Sequence, residues 1–150
     1  MTRREMREHC FKMLFGVEFY PADETAGQTA QYFNSPEEDD TTAEGAVEII
    51  HQVEVKEDER TFLIDRVKGI AAKIPELDEK INQVAQGWKT SRMGKVELTI
   101  LRQALYEILY DSEVPEKVAI NEAVDLAKKF GGKDAPAFIN GVLAKLVTVE

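Results

Sequence analysis

The stretch Val114–Leu146, VPEKVAINEAVDLAKKFGGKDAPAFINGVLAKL, decides the fold. Within it Ala119, Ala123, Leu126, Ala127 and Phe130 recur at three- and four-residue steps, so they line one face of a helix. Gly131-Gly132 predicts the stop, because glycine tolerates the left-handed conformation that helix C-termini commonly use. Asp134 is placed to cap the next helix, with Pro136 in its first turn, where a missing N–H loses no partner. Ala135, Phe138, Ile139, Val142, Leu143 and Leu146 then resume the helical spacing. The reading is an αα-hairpin with a glycine corner. Its lysines, Lys117, Lys128, Lys129, Lys133 and Lys145, outnumber its acids in a chain that is acidic overall.

Working outward, Val96, Leu98, Ile100, Leu101, Ala104, Leu105, Ile108 and Leu109 are apolar almost all round a helix, which places that helix at the centre of the core. Thr90 or Ser91 is expected to cap it, and Asp111-Ser112 with Pro115 to turn the chain into the hairpin. Upstream, Asp58 to Lys73 carries the stripe Phe62, Leu63, Val67, Ile70, Ala71 and Ile74. Pro75 breaks the chain and opens a helix through Leu77, Ile81, Val84 and Ala85. Gly87-Trp88 is expected to close that helix, with Trp88 packing between helices. Two further helices are expected, from Asp23 to Phe33 and through Ala46, Val47, Ile49, Ile50 and Val53. Between them Glu37-Glu38-Asp39-Asp40 reads as a solvated turn. Near the N-terminus Met6, Cys10, Met13, Leu14 and Val17 form a stripe with Phe11 and Phe15 beside it, ending near Tyr20. No period-two strand pattern occurs. The fold class is all-α, with seven helices, or six if two are one kinked helix.

At 150 residues a single domain, 1–150, is the default. A net charge of −9 confines any polyanion site to a local basic patch. The one cysteine, Cys10, permits no internal disulfide and reads as a buried core thiol, which fits a reducing, cytoplasmic compartment. The charged N-terminus has no secretory pattern, and no apolar run approaches the roughly 20 residues of a membrane span. His9 and His51 lie in separate helices, and His9 and Cys10 point about 100° apart on theirs. No zinc ligand set, nucleophile–base pair or phosphate loop is visible. The sequence therefore reads as non-catalytic, without metal or cofactor.

Thr2-Arg3-Arg4-Glu5 has the form of a capping box. Arg3, Arg4 and Arg7 fall in the first turns of the helix it opens, where the helix dipole disfavours cations. Such a cluster is either a solvated, frayed end or a functional grip.

These residues carry a resemblance. VAINEAVDLAKKFG followed by FINGVL (residues 138–143) is similar to the C-terminal signature of the NusB family of bacterial transcription antitermination factors. ELTILRQALYE (97–107) resembles that family's central helix, and Arg3-Arg4-x-x-Arg7-Glu8 with Leu14-Phe15 resembles its N-terminal segment. The resemblance implies an all-helical fold of two packed subdomains. It also implies binding to single-stranded boxA-type RNA of ribosomal-RNA transcripts. The implied protein partner is NusE, the ribosomal small-subunit protein, within an antitermination complex on RNA polymerase. Carried over, Arg3, Arg4 and Arg7 would hold RNA, with Lys117, Lys133, Asp134 and Phe138 along the same path, while Phe15 and Glu97 would face NusE. Self-association through an exposed partner surface is compatible with this. Two other readings are a NusB-like domain serving an RNA-modifying enzyme in trans, and a helical protein-interaction module that binds no RNA.

Overall fold

The computed structural model describes residues 1–17, 55–85, 87 and 89–148. The expected helices at Asp23–Phe33 and Ala46–Val53, the first helix's end near Tyr20, the acidic run and Trp88 lie outside those residues. Among the described residues every regular element is helical: α1 (Arg3–Val17), α2 (Glu57–Ala72), α3 (Ile74–Val84), α4 (Lys95–Tyr110), α5 (Glu116–Phe130) and α6 (Ala135–Thr148), with a 3₁₀ turn at Thr90–Arg92. The chain divides into two compact units, Met1–Ala71 and Ala72–Glu150.

In the first unit α1 buries Cys10, Phe11, Met13 and Leu14, and α2 buries Leu63, Val67 and Ile70. Phe62 departs from its expected stripe. It is 45% exposed, and the Arg66 guanidinium lies 4.9 Å from its ring centroid. Leu63, Val67 and Ile70 already fill the buried face, and a cation four residues on covers the displaced ring.

In the second unit α4 is the axle: α3, α5 and α6 all pack on it, α5 packs on α6, and α3 also meets α6. Helix α3 buries Leu77, Ile81 and Val84, one helical face. It begins with proline in its first turn, as expected, but ends at Val84, before Gly87. Gly87 instead supplies a backbone φ of +79° in the following loop, a conformation that side chains resist. Asn82 closes this loop, its Oδ1 accepting the Thr90 N–H at 2.7 Å and its carbonyl accepting from the Lys89 ammonium at 3.1 Å. Thr90 is thereby committed to the loop. Neither it nor Ser91 caps α4, whose N-cap is Gly94.

Helix α4 buries Leu98 through Leu105 without a break, including Arg102 and Gln103, and Glu107 beyond them. The Arg102 guanidinium meets Asp78 of α3 in a two-pronged contact, Nε to Oδ1 at 2.8 Å and Nη2 to Oδ2 at 2.7 Å. Paired planar forks of this kind are the strong form of ion pair.

The hairpin follows the sequence closely. Ala119, Ala123, Leu126 and Ala127 of α5 face inward, as do Ala135, Ile139, Val142, Leu143 and Leu146 of α6. The reason for the glycine stop differs from expectation. Gly131 is extended, with φ −98° and ψ 178°, and is not left-handed. Its requirement is room, since a Cβ there would lie 2.6 Å from the Ala135 Cβ and 2.9 Å from the Ala127 carbonyl oxygen.

The Arg102–Asp78 fork gives a direct test. Arg102→Met should lower the unfolding free energy by about 2–3 kcal/mol, because Asp78 loses its partner while still partly buried. Adding Asp78→Leu should recover most of the loss. Urea denaturation of the two variants measures both values, and a single variant as stable as the parent would show the pair to be inert.

Candidate nucleic-acid interface

The candidate residues sit on both units. On α1 the capping box forms as the sequence predicts: the Thr2 N–H donates to Glu5 Oε1 at 2.7 Å, and the Glu5 N–H donates to Thr2 Oγ1 at 3.1 Å. The Thr2 backbone donor is the main reason the Glu5 carboxyl titrates below its usual range. Next to it the Met1 ammonium contacts Glu59 Oε2 at 2.7 Å, and Glu59 Oε1 accepts the Lys56 N–H at 3.0 Å. Both contacts, the ammonium's first, hold Glu59 low as well.

The first turn of α1 is therefore a pinned helix start and not a frayed end. Arg3 and Arg4 project from it exposed, and Arg7 is half-buried. Arg3 and Arg7 are four residues apart and share a face. Phe15 lies about 18 Å farther along the same helix. It is half-buried, its ring centroid 5.9 Å from that of Phe11. One helix thus separates a cationic end from an aromatic end.

On the second unit Lys133 and Asp134 are both exposed at the α5–α6 corner. The Asp134 carbonyl accepts the Phe138 N–H at 3.2 Å, so Phe138 follows one turn into α6. Phe138 is half-buried, while Ala135, Ile139 and Val142 hold the core face. Lys117 is exposed but stands at the opposite end of α5, about 20 Å along the axis from the corner. The corner thus gathers Lys133, Asp134 and Phe138 and leaves Lys117 apart.

Glu97 occupies the first turn of α4, half-buried. Its carboxylate folds back over the N-cap, where a Cβ on Gly94 would lie 2.5 Å from its Oε1. That placement lets the carboxylate answer the positive end of the helix dipole. Glu97 therefore has a structural role that its sequence position did not reveal.

Sequence reasoning also missed an aromatic group at the far end of α4. Tyr110 is 45% exposed, stacks at a tilt on Tyr106 with centroids 5.0 Å apart, and has the Lys73 ammonium 5.4 Å from its ring. Its hydroxyl donates to Glu76, which pushes the phenol's pKa up. Glu76 and Tyr110 are 34 positions apart in the chain, so no local spacing could have paired them. Among the described residues no group of three or more His, Cys, Asp or Glu side chains is arranged to hold a metal ion, and no helix is long and apolar enough to cross a membrane.

A model of the NusB family matches residues 4–148. The chain belongs to the NusB family. It is 43% identical over 147 residues to the transcription antitermination protein NusB of Lachnoclostridium phytofermentans, covering 98% of this chain and 99% of that one. It is 42% identical over 145 residues to the NusB of Agathobacter rectalis, covering 97% and 98%. A solved structure of T. maritima NusB superposes with a TM-score of 0.76 at 25% identity, over 99% of this chain and 92% of its own. A chain from the crystal structure of a plectonemic RNA supercoil superposes with a TM-score of 0.70 at 21% identity, over 98% and 94%, and speaks to the fold alone. The all-helical class read from the sequence is thus the NusB fold.

The capping box yields a pH prediction. Glu5 has a depressed folded-state pKa, so its contribution is fully present above the unfolded pKa of about 4.3 and is lost as pH falls through the folded value. Glu5→Gln keeps the hydrogen bonds but removes the charge. Near pH 7 it should be roughly 0.3–1 kcal/mol less stable than the parent. The gap should begin to narrow as pH falls below about 4.3 and close once the pH is below the folded-state value. Thermal melts of both proteins across that range check it, and a gap that stays constant with pH would refute the assignment.

Proposed function

We propose that this chain is a non-catalytic transcription antitermination factor of the cytoplasm. In this reading it binds single-stranded boxA-type RNA of ribosomal-RNA transcripts together with NusE, and acts within an antitermination complex on RNA polymerase. The whole span 1–150 serves as one RNA- and protein-binding module. The observation that carries the reading is the pinned start of α1, with Arg3 and Arg4 exposed on it, in a chain of the NusB family.

Physical chemistry supports a binding role for these arginines over a stabilising one. They stand at the end of a helix where the dipole opposes cations, in a protein of net charge −9. Arginine's planar fork can bridge phosphate oxygens and stack on bases. Single-stranded RNA is gripped by local cations combined with stacking groups, and half-buried Phe138, one helical turn past the corner that carries Lys133, is the candidate for the second kind. Phe15, at the other end of α1, and Glu97 are assigned to NusE. Self-association of the chain through these partner residues is part of the same proposal.

Replacing Arg3, Arg4 and Arg7 together by alanine should lower the salt slope of RNA binding by about 2, at roughly 0.7 per phosphate contact. The melting temperature should hardly change. The measurement is RNA affinity over a salt series with NusE present, and parallel slopes for the two proteins would remove the arginines from the RNA backbone.

The partner surface has its own test. Glu97→Gln keeps the residue's size and Glu97→Lys reverses its charge, and the dipole accounts for only about 0.3–1 kcal/mol of lost stability in the reversal. NusE affinity should fall far more for Glu97→Lys than for Glu97→Gln, because charge reversal inside an interface is the costlier change. Calorimetric titration that finds both variants binding NusE like the parent would exclude Glu97 from the contact.

A further inference from the structure

We infer that Gly131 is the positioning residue of the α5–α6 corner, holding Lys133 and Asp134 where RNA can meet them; this rests on the RNA reading of the corner given above. The two glycines of the corner look equivalent in sequence and are not. A Cβ on Gly132 would meet nothing within 4 Å. A Cβ on Gly131 would press on the Ala135 Cβ at 2.6 Å and on the Ala127 carbonyl oxygen at 2.9 Å, both inside the 3.0 Å that real Cβ atoms essentially never breach.

Neither neighbour can yield cheaply. The Ala127 oxygen already accepts the Gly131 N–H at 2.9 Å, and Ala127 is fully buried. Ala135 is the first residue of α6 and is 4% exposed. Gly132, Lys133 and Asp134 are strung between these two fixed points, and the Gly132 carbonyl accepts the Ala135 N–H at 3.1 Å. A side chain at 131 must therefore be relieved by shifting the exposed corner, because packed interiors do not deform continuously. Contact with a phosphate is lost when a cation is moved by about an ångström, since hydrogen bonds weaken steeply beyond about 3.2 Å.

The experiment uses the full chain with NusE and a boxA-type single-stranded RNA oligonucleotide. It compares Gly131→Ala, Gly132→Ala, Lys133→Ala, Ala135→Gly and the double variant Gly131→Ala/Ala135→Gly. Lys133→Ala should lower the salt slope by about 0.7, one phosphate contact. Gly131→Ala should reproduce that loss while keeping NusE affinity, and Gly132→Ala should match the parent. The double variant removes the closer of the two contacts, so its slope should lie between those of Gly131→Ala and Ala135→Gly. If Gly131→Ala does not fold, the double variant decides: a slope below that of Ala135→Gly supports the inference, and an equal slope overturns it. A parental slope for Gly131→Ala beside a reduced one for Lys133→Ala overturns the positioning role alone. Unchanged binding by Lys133→Ala overturns the RNA reading of the corner, and the inference with it. Equal loss of RNA and NusE binding in Gly131→Ala, unrelieved by Ala135→Gly, would show a residue needed only for folding.

Discussion

Helix α4 has no solvent face along its middle, and the second unit is built around that fact. Ile100 and Leu101 are fully buried, and Leu98, Ala104 and Leu105 nearly so. A helix enclosed this way cannot send its polar side chains to water, so burying them is costly unless they are paired inside. Arg102 is paired through the two-pronged contact with Asp78, which joins α4 to α3. The same enclosure gives α5 and α6 a surface to pack on, and it is this packing that holds the hairpin corner in place.

Two groups of cations at helix ends stand in opposite electrostatic settings. Lys128 and Lys129 lie in the last turn of α5, where the dipole welcomes positive charge, so their presence needs no ligand. Arg3, Arg4 and Arg7 stand at the opposite kind of terminus, on a start held by Thr2 and Glu5. Charge placed against the local field is better evidence of a binding role than charge placed with it. Lys133 falls in neither group: it belongs to a corner between helices, and its position is set by how closely α5 and α6 approach.

The two residues proposed to meet a protein partner also serve their own helices. Glu97 faces its own N-cap as well as solvent, and Phe15 is half-covered beside Phe11. In both cases the part of the side chain left accessible is what a partner could use, while the rest supports the helix that carries it.

For the described helices, most of the buried faces were readable from residue spacing, because helical periodicity is local. The inward residues of α5 and α6 were legible almost one by one, as was the Thr2–Glu5 box, whose partners are three residues apart. The candidate site was legible as a set of residues through the family's motifs, but not as an arrangement. Packing, by contrast, turns Phe62 outward, gives Thr90 to Asn82 and leaves Gly94 to cap α4, and sets Asp78 against Arg102. Packing also explains Gly131, which is there for room. Each of these depends on atoms brought together from distant positions or on the space left between packed elements. Neither quantity is written in the spacing of residues along the chain.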